Sequence, residues 1–120
     1  MQTRTEVPVL SATTMIGDKV VNPQGQDLGK LEELMIDLDE GRIAYAVLSF
    51  GGFMGIGDKL FAIPWDALTV DTVHERIELD IQKETLKDAP GFDKDNWPET
   101  TDRQWLSDVY GYYGYQPYWS

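Results

Sequence analysis

Cysteine is absent from this 120-residue chain, and histidine occurs once. The absence of cysteine excludes a disulfide framework, a thiolate zinc site and a cysteine nucleophile. One histidine without cysteine cannot supply an ordinary zinc site, so we expect no metal-binding residues and no cofactor. We place His74 on the solvent face of a strand, because the polar residues Arg76, Glu78 and Asp80 share its alternation.

Basic residues are scarce, since 10 Lys and Arg stand against 21 Asp and Glu, for a net charge of −11. The acids are spread along the chain, and the sequence contains no basic patch. Such a surface repels phosphate groups, so we expect no nucleic-acid partner and no contact with anionic membranes. Solubility is the ordinary reason for excess acid. A basic protein partner is the alternative.

Long hydrophobic runs are also missing. No stretch approaches the ~20 apolar residues of a membrane span, and the N-terminal residues lack the pattern of a signal peptide. We therefore expect no membrane insertion and a cytoplasmic location. The hydrophobic content of 42% is that of a globular chain, and the length fits one domain. Residues 1–14 are polar and unpatterned, which predicts a flexible lead-in.

Residues 15–82 carry the pattern of short strands separated by turns. A strand at 19–21 precedes a Pro- and Gly-containing turn at 22–26. In the next strand Leu34, Ile36 and Leu38 alternate with Met35 and Asp37, as expected of one buried face. Leu31 has the opposite parity, which predicts a bulge near Glu32 and Glu33. An acidic turn at 37–41 then starts a hairpin.

The following strand, residues 43–50, is apolar on both faces, so it is predicted to be central and covered on both sides. One face carries Ile43, Tyr45 and Val47, and the other carries Ala44, Ala46, Leu48 and Phe50. The Tyr45 face needs a cover. Either the C-terminal extension or a second copy of the chain supplies it.

Two further strands follow a glycine-rich loop at 51–57. The first spans 59–65, and Pro64 ends it because proline cannot donate to a strand ladder. The second spans 73–81, with Val73, Ile77, Leu79 and Ile81 facing inward. Five or six short antiparallel strands at this spacing predict a small barrel or a compact sandwich.

From residue 83 to 120 the chain changes to a short helical and aromatic extension. Residues 83–89 can form two helical turns before Pro90. Thr101 or Asp102 can cap a second helix, on which Trp105, Val109 and Tyr112 share a face. The aromatic tail is expected to pack on the β domain or on a partner subunit.

No motif supports catalysis. The loop at 51–57 lacks the Lys-Ser/Thr ending and the following helix of a phosphate-binding loop, so a protein-contact loop is favoured. Asp37, Asp39 and Glu40 begin like a calcium loop, but the twelfth position is Leu48, so a solvated turn is favoured. No serine lies in the context of a nucleophile elbow. We expect no catalytic residues.

The strand, turn and strand unit resembles a PRC-barrel domain over residues 15–82. This small β-barrel is known from the cytoplasmic part of the photosynthetic reaction-centre H subunit and from the C-terminus of RimM. The matching segments are G-Q-D-L-G-K-L-E-E at 25–33, I-D-L at 36–38, G-R-I-A-Y-A-V at 41–47, S-F-G-G-F at 49–53, G-I-G-D-K at 55–59, and Ile63-Pro64-Trp65 with Leu68. The extension at 83–120 is similar to that of stand-alone bacterial members.

The resemblance implies a non-enzymatic docking or assembly role, because the family has no common catalytic residues to transfer. We expect a homodimer or another protein partner. The predicted interaction surface comprises Tyr45, Gly51, Gly52, Phe53, Met54, Ile56, Trp65, Tyr113, Tyr115, Tyr118 and Trp119. An alternative, from the residues alone, is a small-molecule binder or enzyme that uses an aromatic cleft near Trp65 and the C-terminal tail.

Overall fold

Three short α-helices, a 3-10 helix and seven strands make up the fold in a computed structural model, which describes residues 5–50, 59–93, 97–98 and 102–119. The elements are α1 Ala12–Met15, β1 Lys19–Val21, β2 Asp27–Asp37, β3 Arg42–Phe50, β4 Lys59–Ile63, the 3-10 helix Trp65–Ala67, β5 Leu68–Asp71, β6 Arg76–Leu79, α2 Lys83–Lys87, β7 Gly91–Asp93 and α3 Arg103–Tyr112.

The strands form one mixed sheet in the order β5-β6-β1-β2-β3-β4-β7. The prediction of a mainly β fold is confirmed, but the prediction of five or six strands, all antiparallel, was wrong. The described residues form seven strands, β1 pairs with β6 in parallel, and β2 runs for 11 residues. Among the described residues, no pairing joins the edge strands β5 and β7.

Two bulges shape the hairpin of β2 and β3. Leu31 pairs with Leu48 and Glu33 pairs with Val47, so Glu32 is an extra residue, as its neighbours' parity predicted. A second bulge was not predicted. Met35 pairs with Tyr45 and Ile36 with Ile43, which leaves Ala44 extra. Ala44 therefore joins the face of Tyr45, whereas the sequence pattern placed it with Ala46.

One face of the curled sheet encloses an inner cluster of buried residues from β1, β2, β3, β4 and β6, closed by α1 and α2. The alternation of β4 determines which side chains enter it, because Phe61 and Ile63 point inward while Leu60 and Ala62 point outward. The members include Met15, Val20, Leu28, Leu31, Leu48, Phe50, Phe61, Ile63, Ile77, Leu79 and Leu86.

The opposite face of β3 and β4 is covered by α3 and the tail, which form an outer cluster. Its buried members are Ala44, Tyr45, Val47, Leu60, Ala62, Leu106, Val109 and Tyr110. Asp102 caps α3, and its carboxylate accepts a hydrogen bond of 2.6 Å from the Gln104 N–H. The predicted burial of the central strand on both faces is therefore confirmed, and the C-terminal extension supplies the cover.

The prediction of one strand over 73–81 was wrong at its start. Val73 is 83% exposed, and Glu75 has φ of +51°, so both lie in the turn between β5 and β6. The Asp71 carboxylate accepts hydrogen bonds from the N–H groups of Val73 and His74, which folds the chain back. His74 is exposed, as predicted.

Three other boundaries differ from the sequence expectations. Helix α1 begins at Ala12, inside the segment assigned to a flexible lead-in. Strand β7, which pairs with β4, was not anticipated because it has only three residues and follows Pro90. On α3 the buried residues are Leu106, Val109 and Tyr110, whereas Tyr112 is 39% exposed.

Candidate functional site

The end of the β2–β3 hairpin meets the C-terminal tail in a shallow groove. The hairpin turn is fixed by Asp37, whose Oδ1 accepts hydrogen bonds from the N–H groups of Asp39 and Glu40 at 2.9 and 3.0 Å. Its other oxygen, Oδ2, accepts a hydrogen bond of 2.5 Å from the Tyr118 hydroxyl. One carboxylate therefore organises the turn and also holds the tail.

This hairpin–tail groove has a volume of about 290 Å³. That is close to the lower end of the range for small-molecule pockets. Its lining combines apolar and aromatic residues with the charged residues Asp37, Asp39 and Arg103. The lining residues are Met35, Ile36, Asp37, Asp39, Ala44, Tyr45, Pro98, Arg103, Leu106, Tyr118 and Trp119.

Two arginines contact the aromatic wall of the groove. The guanidinium carbon of Arg42 lies 4.4 Å from the centre of the Tyr118 ring, and that of Arg103 lies 5.3 Å from the centre of the Trp119 ring. Both distances are within the range of cation–π attraction. The Tyr118 and Trp119 rings also pack edge to face at 5.0 Å. These contacts fix the two last described aromatic residues against the hairpin.

The hydrogen bond between Tyr118 and Asp37 shifts the acidity of both groups. It lowers the pKa of Asp37, with a further contribution from the Glu40 N–H. Desolvation raises the pKa of the Tyr118 hydroxyl, and the bonded Asp37 carboxylate raises it further. At neutral pH the pair is therefore a charged acceptor and a neutral donor.

Beneath the tail, Tyr110 fixes α3 to the bulge in β3. Its hydroxyl donates a hydrogen bond of 2.6 Å to the carbonyl oxygen of Ala44, the extra residue of the bulge. Burial raises the pKa of Tyr110 to about 12, so the hydroxyl keeps its proton. The unpredicted bulge thus presents a carbonyl that anchors the helix.

Two large apolar side chains beside the groove remain in contact with solvent. Ile36 is 55% exposed, and Leu38 in the hairpin turn is 91% exposed. The sequence pattern assigned both to a buried face, and this was wrong, because the hairpin extends beyond the inner cluster. Exposed apolar residues that adjoin an aromatic groove are typical of a contact surface.

The structure separates the residues that the sequence assigned to one interaction surface. Tyr45 is fully buried in the outer cluster, beneath α3 and the tail. Trp65 packs against the inner cluster, whereas Tyr118 and Trp119 pack against the outer one. Trp65 and the last described residues of the tail therefore belong to different clusters.

The remaining predicted surface residues fall in two groups. Tyr113 contacts both clusters, and Tyr115 is 40% exposed. Gly51, Gly52, Phe53, Met54 and Ile56 lie outside the described residues.

The groove offers little that could run a reaction. The described residues of its lining include no serine, histidine or lysine, and of the two carboxylates among them Asp37 is already bonded to Tyr118. A carboxyl group with a lowered pKa is a poor general acid at neutral pH. Across the described parts of the chain, no three His, Asp or Glu residues are grouped to hold a metal ion. The described lining residues therefore favour a groove that binds a partner over one that catalyses a reaction.

The family model of the PRC-barrel domain matches residues 8–86, which is most of the chain. The chain belongs to the PRC-barrel domain family. The match covers β1 to β6 and the start of α2, that is, the hairpin and the inner cluster. Strand β7, helix α3 and the tail lie beyond the matched segment.

A solved structure with the same fold is that of a 16S ribosomal RNA processing protein, RimM, from Pseudomonas aeruginosa. The superposition has a TM-score of 0.50 and 17% sequence identity, and it covers 69% of this chain and 50% of that one. The PRC-barrel chain thus spans about half of that protein's length. A search of curated proteins found no match. In the described ranges, no helix has the length and apolar character needed to cross a bilayer.

Sequence reasoning missed much of the groove, namely Asp37 as the anchor of the tail, Arg42 and Arg103 as ring contacts, and Ile36 and Leu38 as exposed apolar residues. One signal was available. Asp37 opens a turn that ends in Gly41, and such aspartates commonly bond to the following N–H groups. Tyr118 and Asp37 are 81 positions apart in the sequence, so no local sequence pattern indicates the hydrogen bond between them.

Proposed function

We propose that this PRC-barrel chain is a non-enzymatic assembly module that acts through protein contacts and forms a homodimer. The observation that carries the proposal is the pair of exposed apolar residues, Ile36 and Leu38, beside the aromatic hairpin–tail groove. Desolvating such residues in an interface is favourable. Two exposed apolar residues that adjoin an aromatic groove favour a contact surface more than a single exposed residue such as Val73 does.

A second copy is the partner that suits this surface. A two-fold interface needs a patch that is complementary to itself. The hairpin end offers apolar side chains at its tip and, beside them, a groove lined in part by Tyr118 and Trp119, so the tip of each copy can enter the groove of the other. It also carries both charge signs, because Asp39 and Arg103 both line the groove.

We also propose that the curled sheet acts as the small barrel of the family. Support comes from the inner cluster, in which residues of β4 and β6 meet although three strands separate them in the sheet. A sheet that brings such distant strands around one core is strongly curved. The edges β5 and β7 are then the places where closure would occur.

The similarity to the Pseudomonas protein does not support a role in RNA processing for this chain. The likeness is at 17% identity and supports the fold alone. A net charge of −11 opposes binding to a phosphate backbone. Protein contact therefore remains the function that the charge and the groove favour.

Replacing Leu38 by Glu tests the proposal. Leu38 has almost no intramolecular contacts to lose, so the monomer should stay folded. In a two-fold dimer each copy loses the burial of one leucine, about 1.5 kcal/mol or more. The dissociation constant should therefore rise at least about 100-fold. Sedimentation equilibrium at micromolar concentration measures it.

Val73→Glu is the matched control, because Val73 is a similarly exposed apolar residue in a turn outside the groove. We expect this variant to dimerise like the wild type. A wild-type protein that is monomeric at 100 µM, roughly the upper range of such measurements, would contradict the dimer. Equal weakening by both substitutions would place the interface elsewhere.

A further inference from the structure

A second concavity lies where the end of α3 meets the corner between β6 and α2. It has a volume of about 150 Å³ and is separate from the hairpin–tail groove. Three tyrosines, Tyr112, Tyr113 and Tyr115, are among its lining residues, together with Leu79, Asp80 and Ile81. We call it the tyrosine pocket.

The aromatic wall of this pocket is held in place by hydrogen bonds. The Tyr112 hydroxyl donates to the carbonyl oxygen of Thr85 in α2 at 2.6 Å, so its ring spans the gap between α3 and α2. The rings of Tyr112 and Tyr113 pack edge to face at 5.2 Å. The Tyr115 N–H donates to the Tyr110 carbonyl at 2.9 Å. A wall fixed before binding loses little entropy on binding.

The charge of the pocket is negative and uncompensated. Asp80 is exposed, and within the described residues it takes part in none of the ion pairs. Of the described residues that border the pocket, none is a lysine or an arginine. The chain as a whole carries a charge of −11, which raises the local concentration of cations.

We propose that the tyrosine pocket binds an alkylammonium group, with the tyrosine rings as its aromatic wall and Asp80 as its counter-charge. Aromatic faces attract organic cations through the ring quadrupole, and a carboxylate adds direct attraction. The negative charge of Asp80 repels an anion, and a purely apolar ligand would leave the Asp80 carboxylate without a partner of opposite charge. The recognised chemistry is therefore a cation with an apolar surface.

The size of the pocket limits the ligand to a head group. A volume of about 150 Å³ is well below the 300–1,000 Å³ typical of pockets that enclose a whole small molecule. The rest of the ligand must remain outside. Two sources share this chemistry, a free quaternary ammonium compound and a methylated lysine side chain of a protein.

Choline is the probe for the test, and NMR of the tyrosine ring protons is the readout. We expect saturable shifts of the Tyr112 and Tyr115 resonances with a dissociation constant of about 1–50 mM, since few weak contacts contribute. The neutral isostere of choline, in which carbon replaces the quaternary nitrogen, should bind at least about 5-fold more weakly, because it lacks the charge.

Asp80→Asn should weaken choline binding about 3- to 10-fold, because it removes the counter-charge and keeps the shape. Glu32→Gln is the control. It removes one exposed acidic charge on β2, away from the pocket lining, and should leave the affinity unchanged. Tyr115→Leu keeps apolar bulk but removes a ring, and should also weaken binding.

A peptide with trimethyl-lysine distinguishes the two sources. Tighter binding of the peptide than of choline assigns the pocket to a protein side chain, and equal or weaker binding assigns it to a free ammonium compound. The proposal is overturned if choline gives no saturable shift, if the neutral isostere binds equally well, or if Asp80→Asn and Glu32→Gln have the same effect. None of these outcomes depends on dimerisation.

Discussion

At the scale of single residues, the contact between Tyr118 and Asp37 holds the tail to the hairpin. It is a hydrogen bond to a charged acceptor, a class about twice as strong as bonds between neutral groups. The Asp37 carboxylate also accepts the N–H groups of Asp39 and Glu40. Loss of its charge would therefore loosen the turn and the tail together.

Tyr118→Phe should raise the pKa of Asp37 toward its ordinary value, because the Tyr118 hydroxyl is the main cause of the lowered pKa. A ¹³C NMR titration of the side-chain carboxyl groups measures this directly. Tyr115→Phe is the control, since the Tyr115 hydroxyl has no such bond to Asp37. An unchanged Asp37 pKa in Tyr118→Phe would show that the bond does not form in solution.

The lowered pKa of Asp37 determines how the stability of the folded chain depends on pH. The pKa of Asp37 is lower in the folded chain than the value of about 3.9 for an unfolded aspartate. Its contribution is therefore complete above pH 4 and is lost as the pH falls through the lowered pKa. Tail docking should be constant near neutral pH and weaken only in acid.

At the scale of the elements, the close approach of β2 and β3 depends on Gly29. This residue has φ of +115°, and a Cβ atom built on it would overlap the carbonyl oxygen of Ser49 in β3. Backbone atoms cannot move aside as a flexible side chain can. The two strands can pair at this point only if residue 29 lacks a side chain.

Gly29→Ala should destabilise the protein by about 3 kcal/mol, from backbone strain and the overlap combined. The expected fall in Tm is roughly 10 °C for a chain of this size. Thermal unfolding followed by circular dichroism measures it. Gly17→Ala is the control, because Gly17 also has a positive φ of +97° but has open space around its Cβ position. A similar fall for both variants would remove the overlap as the cause.

Elements could be predicted where alternation was regular. The faces of β4 and the bulge at Glu32 follow from parity, because a displaced leucine reveals an inserted residue. The bulge at Ala44 left no such trace, since alanine suits either face. The segment 73–75 was misassigned to a strand because Val73 resembles a strand residue, whereas Asp71 ends the preceding strand through its hydrogen bonds.

At the scale of the whole molecule, a strand covered on both faces determines the architecture. The sequence predicted this cover from the apolar residues of 43–50, and α3 with the tail supplies it. The candidate groove was less predictable, because its walls come from residues far apart in the chain. Only Tyr45, Tyr118 and Trp119 of the predicted surface line it, and Tyr45 is buried.

The total charge makes dimerisation sensitive to salt. Each chain carries −11, so two copies repel each other at low ionic strength. Salt shortens the Debye length from about 30 Å at 0.01 M to about 10 Å at 0.1 M and weakens this repulsion. The dimer should therefore tighten several-fold between about 0.01 and 0.5 M NaCl. Sedimentation equilibrium at pH 7 measures the change.

The opposite salt response would contradict an apolar homodimer interface. Affinity that falls with salt indicates that attraction between opposite charges dominates. A basic protein partner would show that fall, because its charge complements the acidic surface. Sucrose at matched osmolality is the control for solvent effects that are not electrostatic.

The cover of the outer cluster comes from the C-terminal part of the chain, and this orders events during synthesis. The ribosome synthesises β3 and β4 before α3. The face that carries Tyr45 and Val47 is therefore exposed to solvent until residues 103–119 have been synthesised. A nascent chain halted near residue 93 would contain a paired sheet whose outer face is apolar and exposed to solvent. Such a fragment would be a substrate for chaperones and for aggregation.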